Sequence, residues 1–399
     1  QAAVSGAGPI EQGREPQEVH ARAIREWLDD GSDDTRIDWD KNIRLTYVLD
    51  ALGHETRYYY DIAGYTYRIV HPDGLEEWLF RDQAKNVVRH IHANGSSEHY
   101  RYDVHGNLLT HTCADGSEVH FAYDAQHRVT GIRDGEGGAW KRDYNIQGHL
   151  VEELDPLGNK TQYAYDKAGR PIEVVDAKGG VKHLAYTPDG QLASYTDCSG
   201  RRSQWEYDDR RRLVKSIDAA GNITRYRYTP AGGQHTGGES PDGGNHPGQL
   251  EAVVHPDGSE ELLCHDAEGR LLAHIDPLAR TTAYRYTATG LIAKRTDALG
   301  HSLHYQWDAL GRLAALQNEN GSVYRFQYDP VGRLLQEQGF DGKTTEYRYD
   351  RASGVLAETV EAGVITRLDF DSMDRLVQRR AAAPGQPEQI ETFAYNANG

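Results

Sequence analysis

The stretch Tyr305-Gln306-Trp307-Asp308-Ala309-Leu310-Gly311-Arg312-Leu313 is followed, 21 residues on, by Phe326-Gln327-Tyr328-Asp329-Pro330-Val331-Gly332-Arg333-Leu334. Outward from this pair, the residue before the Asp recurs in the same step at Tyr349 and Phe370, and backwards at Tyr286 and His265. Beyond a break, the step resumes at Tyr228. It runs back through Tyr207, Tyr186, Tyr165, Tyr144, Tyr123 and Tyr102, with Arg81 in register, to Tyr60 and Trp39. A last copy sits at Tyr395. Of these 17 copies, 15 carry an aromatic, which excludes chance. Self-similarity at a fixed period of this size marks a repeat architecture.

Two residues upstream of the aromatic stands a second large residue, as at Tyr58, Tyr100, Phe121, Tyr163, Trp205, Tyr226, Tyr284, Tyr305, Phe326 and Tyr347. Positions i and i+2 share a face of a strand, so each unit places an aromatic pair on one face. Two turn signals punctuate each unit. One is Asp166-Lys167-Ala168-Gly169, matched by Asp103 to Gly106, Asp308 to Gly311 and Asp329 to Gly332. The other is Asp155-Pro156-Leu157-Gly158, matched by Asp50 to Gly53, Asp176 to Gly179, Asp218 to Gly221 and Asp297 to Gly300. Asp first and Gly fourth suit a type I turn, and Pro156 suits its second position. Six or seven residues separate the turns, a usual strand length. The pattern predicts strand, turn, strand, turn, with antiparallel neighbours throughout residues 37–399.

The pattern Tyr-x-Tyr-Asp-x-x-Gly-Arg-Leu resembles the YD repeat of Rhs proteins, and the resemblance covers residues 37–399. Related shells occur in the C component of Tc toxins and in teneurins. The resemblance implies a spiral β-sheet cocoon enclosing a C-terminal toxin, which in bacterial Rhs effectors is often delivered by a type VI secretion system in competition between bacteria. It implies partners outside this segment: the toxin as intramolecular cargo, secretion spike proteins, a chaperone and an immunity protein. It also implies synthesis in the cytoplasm and export into target cells. In the family, an Asp-Pro-x-Gly stretch near the end of the core belongs to an autoproteolytic site. Here Asp155 to Gly158 is in register with ordinary turns and lacks the downstream Asn-Pro and Tyr elements, so it is read as a turn, and any cleavage centre is expected beyond Gly399. The competing readings are an adhesion module of teneurin type and a carbohydrate-binding wall protein.

A physical argument reaches a similar architecture. Seventeen units of two strands, at roughly 4.8 Å per strand, give a sheet about 160 Å long in its pairing direction. Open twisted sheets rarely exceed about ten strands without curling or splitting. The expectation is therefore an all-β, coiled antiparallel sheet around a hollow. The hydrophobic content of 38% favours hollow over filled. Residues 1–36 do not repeat. Val19, Ala23, Trp27 and Leu28 fall on one helical face, which predicts a short amphipathic helix over residues 17–30. Residues 37–230 form a first block of repeats and 249–399 a second. Between them, residues 231–248 are rich in Gly and Pro and read as an exposed loop. A shorter break lies at residues 381–387.

Composition restricts function further. A net charge of −17 disfavours a nucleic-acid surface, which needs clustered Lys and Arg. No apolar run approaches membrane-spanning length. Cys113, Cys198 and Cys264 cannot build a disulfide framework and read as buried or incidental thiols. No nucleophile elbow, phosphate loop or dinucleotide fingerprint is present, so no catalytic residue and no cofactor is assigned. The turn aspartates lack the glycine-rich nonapeptide frame of calcium-binding rolls. The His90/His92 and His301/His304 pairs show no carboxylate or Cys at a diagnostic spacing, so no metal site is assigned. The residues singled out are structural. They are the aromatics Tyr60, Tyr102, Tyr123, Tyr165, Tyr207, Tyr286, Trp307, Tyr328 and Tyr349, expected to stack across strands, and the turn residues Asp103, Gly106, Asp155, Gly158, Asp166, Gly169, Asp308, Gly311, Asp329 and Gly332.

Overall fold

The computed structural model describes residues 23–28, 32–230 and 248–396. They contain 34 strands, assigned to one antiparallel sheet, and no helix. Short strands of five residues such as Pro171–Val175 alternate with strands of six such as Val181–Tyr186. The chain divides into two compact units, one of residues 1–118, 286–293 and 303–399, the other of residues 119–285 and 294–302.

The turns explain the alternation. In the first type, Asp166 N donates to Arg170 O at 2.9 Å and Gly169 N to Asp166 O at 3.0 Å. The Asp166 carboxylate accepts from the amides of Ala168 and Arg170, at 2.9 and 3.0 Å. Gly169 has φ of +80°, a conformation that costs L-residues with a Cβ. The strand register slips between Ala164 and Tyr165, so the hairpin carries a bulge beside the left-handed Gly. The Asp155 turn closes in the same way. Its carboxylate accepts from the amides of Leu157 and Asn159 and from the Asn159 side chain. That carboxyl is held below the ordinary range first by the Asn159 side chain and then by the turn amides.

The expected alternation of faces is visible in exposure. In Lys160–Tyr165 the residues Thr161, Tyr163 and Tyr165 are half-buried, and Lys160, Gln162 and Ala164 are exposed. A core in the usual sense does not form. Among the described residues only eight are buried: Leu45, Ala252 and Ala315, and the polar Thr46, Thr110, Ser194, Thr229 and Asp329. The described strands are stabilised by their ladder, their turns and partial burial rather than by a packed interior.

Two expectations meet the structure at the breaks. The helix predicted over residues 17–30 is not formed where it is described. Arg25–Glu26 is a strand paired with Thr35–Asp40, and Trp39 Nε1 donates to Ala23 O at 3.0 Å. An isolated helix of about 14 residues is marginal in water, whereas an open sheet edge offers backbone partners at once. The rest of that stretch, residues 17–22 and 29–30, lies outside the described residues. So does the loop at 231–247. On its two sides Ile223–Tyr228 and Leu250–Val254 pair directly, and Gly248 N donates to Thr229 O at 2.9 Å, the bond that the fourth residue of an ordinary turn makes.

Candidate functional site

Each of the nine aromatics singled out from sequence closes its six-residue strand, from Glu55–Tyr60 through Thr344–Tyr349. Five of them make a contact more specific than ring-on-ring stacking. Tyr328 Oη donates to Leu313 O at 2.9 Å, and Tyr165 Oη to Leu150 O at 2.7 Å. Tyr207 and Tyr349 donate likewise to Leu192 and Leu334, and Trp307 Nε1 donates to Ile292 O at 2.8 Å. Each bond reaches back to the preceding repeat.

Arginine completes the link. Arg312 Nε pairs with its own turn aspartate, Asp308 Oδ2, at 2.7 Å. The guanidinium then lies over the ring of Tyr328 in the next repeat, 4.7 Å from its centroid. Arg128 over Tyr144, Arg170 over Tyr186, Arg212 over Tyr228, Arg333 over Tyr349 and Arg375 over Tyr395 repeat the arrangement. The motif Tyr-Asp-x-x-Gly-Arg is therefore a coupling device: Asp shapes the turn, Arg is held by Asp, and Arg covers the next Tyr. Burial alone would push the Asp308 carboxyl up; the amide and guanidinium of Arg312 hold it below its ordinary value.

In the unit of residues 1–118, 286–293 and 303–399, these turns also meet the opposite turns of early repeats. Arg333 Nη2 lies 3.1 Å from Asp73 Oδ2, and Arg375 Nη2 lies 3.2 Å from Asp115 Oδ2. Asn94 Nδ2 donates to Asp374 Oδ2 at 2.7 Å, and Asp33 N to Ala309 O at 2.9 Å. Gly354 here has φ of +74°, which favours glycine, and a Cβ on it would lie 2.7 Å from Leu75 Cδ1, so that side chain would have to shift. Beside this seam is a cleft of about 780 Å³ whose lining includes His71, Asp73, Glu77, His92, Glu98 and Arg333.

The cleft holds residues that the sequence reading missed. The His90/His92 pair does have carboxylate partners. His71 Nε2 and His90 Nε2 lie 2.7 and 2.9 Å from the two oxygens of Glu77. One repeat later, His92 Nε2 and His111 Nε2 each lie 3.4 Å from Glu98 Oε2, and the Tyr100 hydroxyl donates to Glu98. A third set, His255, Glu261 and His274, repeats the first, at 3.0 and 3.1 Å. Burial acts to raise the Glu77 carboxyl, but hydrogen bonds from His90 and His71 hold it below the usual range. For Glu261, His274 and then His255 do the same. The signal was present as His at i, Glu at i+6 and His at i+19. It escapes a search for close spacing because the partners lie on neighbouring strands.

With this geometry in place, the family is defined by comparison. The RHS Repeat family model matches residues 81–118, 144–181, 186–223, 265–302, 288–323 and 307–344. The chain is an RHS-repeat protein. No curated protein matches it. Among solved structures, this RHS chain is similar to the Photorhabdus luminescens Tc holotoxin pore, with a TM-score of 0.69 and 15% identity over 94% of this chain and 24% of that one. It is also similar to TcdB2-TccC3, with a TM-score of 0.64 and 12% identity over 92% of this chain and 25% of that one. A further match is TcdB2-TccC3-Cdc42, with a TM-score of 0.56 and 14% identity over 92% of this chain and 25% of that one. At these identities the likeness is one of fold. The chain spans about a quarter of the length of the structures it matches.

Proposed function

We propose that this RHS segment is part of the wall of a β-shell that encloses a C-terminal toxin domain of its own polypeptide before delivery, and that the segment itself is not an enzyme. The observation that carries the reading is that 34 strands of one sheet bury only eight residues among those described. Such a sheet uses its residues to extend a surface rather than to fill an interior. An active site needs a local, irregular geometry with its own supporting shell, whereas a wall needs the same pairing repeated. Contacts between early and late repeats, Arg333 with Asp73 and Arg375 with Asp115, support a sheet that winds back on itself. The fold likeness to TcdB2-TccC3 supports the same reading. Export into target cells, by a type VI machine with its spike, chaperone and immunity proteins, is the route this reading favours.

Limited proteolysis of the intact protein tests it. The C-terminal polypeptide should resist digestion while the shell is intact and be degraded once the seam is opened by R333A with R375A. Equal digestion in both states would remove the case for enclosure and favour an adhesion module.

A further inference from the structure

We propose that Glu77, His90 and His92 bind one divalent transition-metal ion, of the zinc class, beside the seam. The three side chains each offer a ligand atom, and these atoms all lie within 4.8 Å of one another. His90 lies on the strand Val87–Ile91 and His92 opens the turn that follows it, with the two ring centroids 3.8 Å apart. Tetrahedral zinc with bonds of about 2.0–2.1 Å needs ligand atoms a little over 3 Å apart, which small side-chain rotations supply here. Two imidazoles and one carboxylate suit zinc, cobalt or nickel rather than calcium or magnesium, which prefer oxygen.

A His–Glu–His set alone does not make the site. His255, Glu261 and His274 satisfy one another by hydrogen bonds, and so could His71, Glu77 and His90. The difference is the next turn. In register with His92, the other set has Asp276, whose carboxylate accepts from the amides of Leu278 and Arg280 and pairs with the Arg280 side chain. His92 instead brings a third possible ligand atom within 4.8 Å of those of Glu77 and His90. The surroundings match what a metal-bound carboxylate and imidazole need in their outer shell. His71 holds the second oxygen of Glu77. Glu98 lies 3.4 Å from His92 Nε2, which orients the ring and leaves its other nitrogen for the ion. His111 Nε2, shielded from solvent and without a hydrogen bond, lies against the same Glu98 oxygen. Three protein ligands leave one position for water, and Glu77 and His92 both line the cleft. The ion would clasp the two strands of one repeat to each other, beside the contacts between early and late repeats. This inference is independent of what the shell encloses.

The test uses tag-free, chelator-stripped intact protein titrated with Zn²⁺ by calorimetry and with Co²⁺ by visible absorption. One tight equivalent is expected, with affinity falling as protons compete at low pH. H92Q and H90Q should each weaken that equivalent at least tenfold, E98Q by about tenfold through orientation, and H274Q not at all. Far-UV circular dichroism checks that each variant is folded. Zinc-edge absorption on the unaltered protein should count two imidazoles, a readout that needs no variant. Absence of a tight equivalent, or binding indifferent to H90Q and H92Q, or binding lost equally in H274Q, would overturn the proposal.

Discussion

The two rims of the sheet use the same turn chemistry to different ends. On the rim of the Tyr-Asp turns, Arg312 is paired with Asp308 and its side chain is 20% exposed. On the other rim, Arg280 is paired with Asp276 in the same i,i+4 relation, yet its side chain is 64% exposed. The first arginine has the next repeat's tyrosine to cover; the second folds back on its own turn and reaches no ring. An ion pair of one kind is thus a link between repeats on one rim and a local clasp on the other. Sequence identity of a pair therefore says less about its contribution than the presence of a third partner does.

The largest expected effect concerns what both rims share. Turn aspartates on both rims, including Asp166, Asp197, Asp276 and Asp308, have carboxyls held below their ordinary value. Asp197 is lowered to about 2, by the Ser199 hydroxyl first and then the turn amides. A depressed folded-state pKa contributes stability that is complete above the unfolded value, near about 4, and is lost as pH falls through the folded value. The sheet should therefore hold its β signal down to about pH 4 and lose it cooperatively toward pH 2. Unchanged circular dichroism and melting temperature across that window would show that the turn carboxylates do not stabilise either rim.

Next comes the contrast itself. R333A removes the partner of the buried Asp329, the cover of Tyr349 and the contact to Asp73. It should cost about 3 kcal/mol, because a buried carboxylate is left unpaired. R280A, on the other rim, leaves Asp276 its two amide donors and should move the urea midpoint far less. Equal losses for the two would dissolve the distinction between the rims. Y328F isolates one strand of the link, the hydroxyl to Leu313 O, and should cost about 1 kcal/mol with little change in the m-value. A larger loss would mean that the hydroxyl holds the bulge as well as the neighbour.

The smallest effect has the opposite sign. Ala279 stands where most turns have glycine and has φ of +59°. A279G relieves a left-handed conformation at some cost in unfolded-state entropy, for a net gain of about 0.5 kcal/mol. A loss instead would show that the Ala279 methyl group makes contacts worth more than the backbone strain.

The 21-residue step in Tyr305 to Leu334 alone determined the strand length, the positions of both turns, the antiparallel neighbours and which side of each strand carries the rings. These are local properties: a glycine with positive φ, an aspartate beside free amides and a period-2 alternation act within a few residues of chain. The short helix expected near Trp27 is absent from the described residues 23–28 for the complementary reason. Its pattern was right for a helix, but residues 25–26 found a sheet edge, a partner no local window contains. The roles of the arginines and histidines were likewise decided by the tertiary structure. Arg312 and Arg280 follow Asp at the same spacing, and only the neighbouring repeat separates them. His71, Glu77 and His90 are scattered in sequence, and two paired strands and the turn before them bring them together. Contacts such as Arg333 with Asp73 depend on where late repeats return relative to early ones. Which of them meet is encoded in no single repeat.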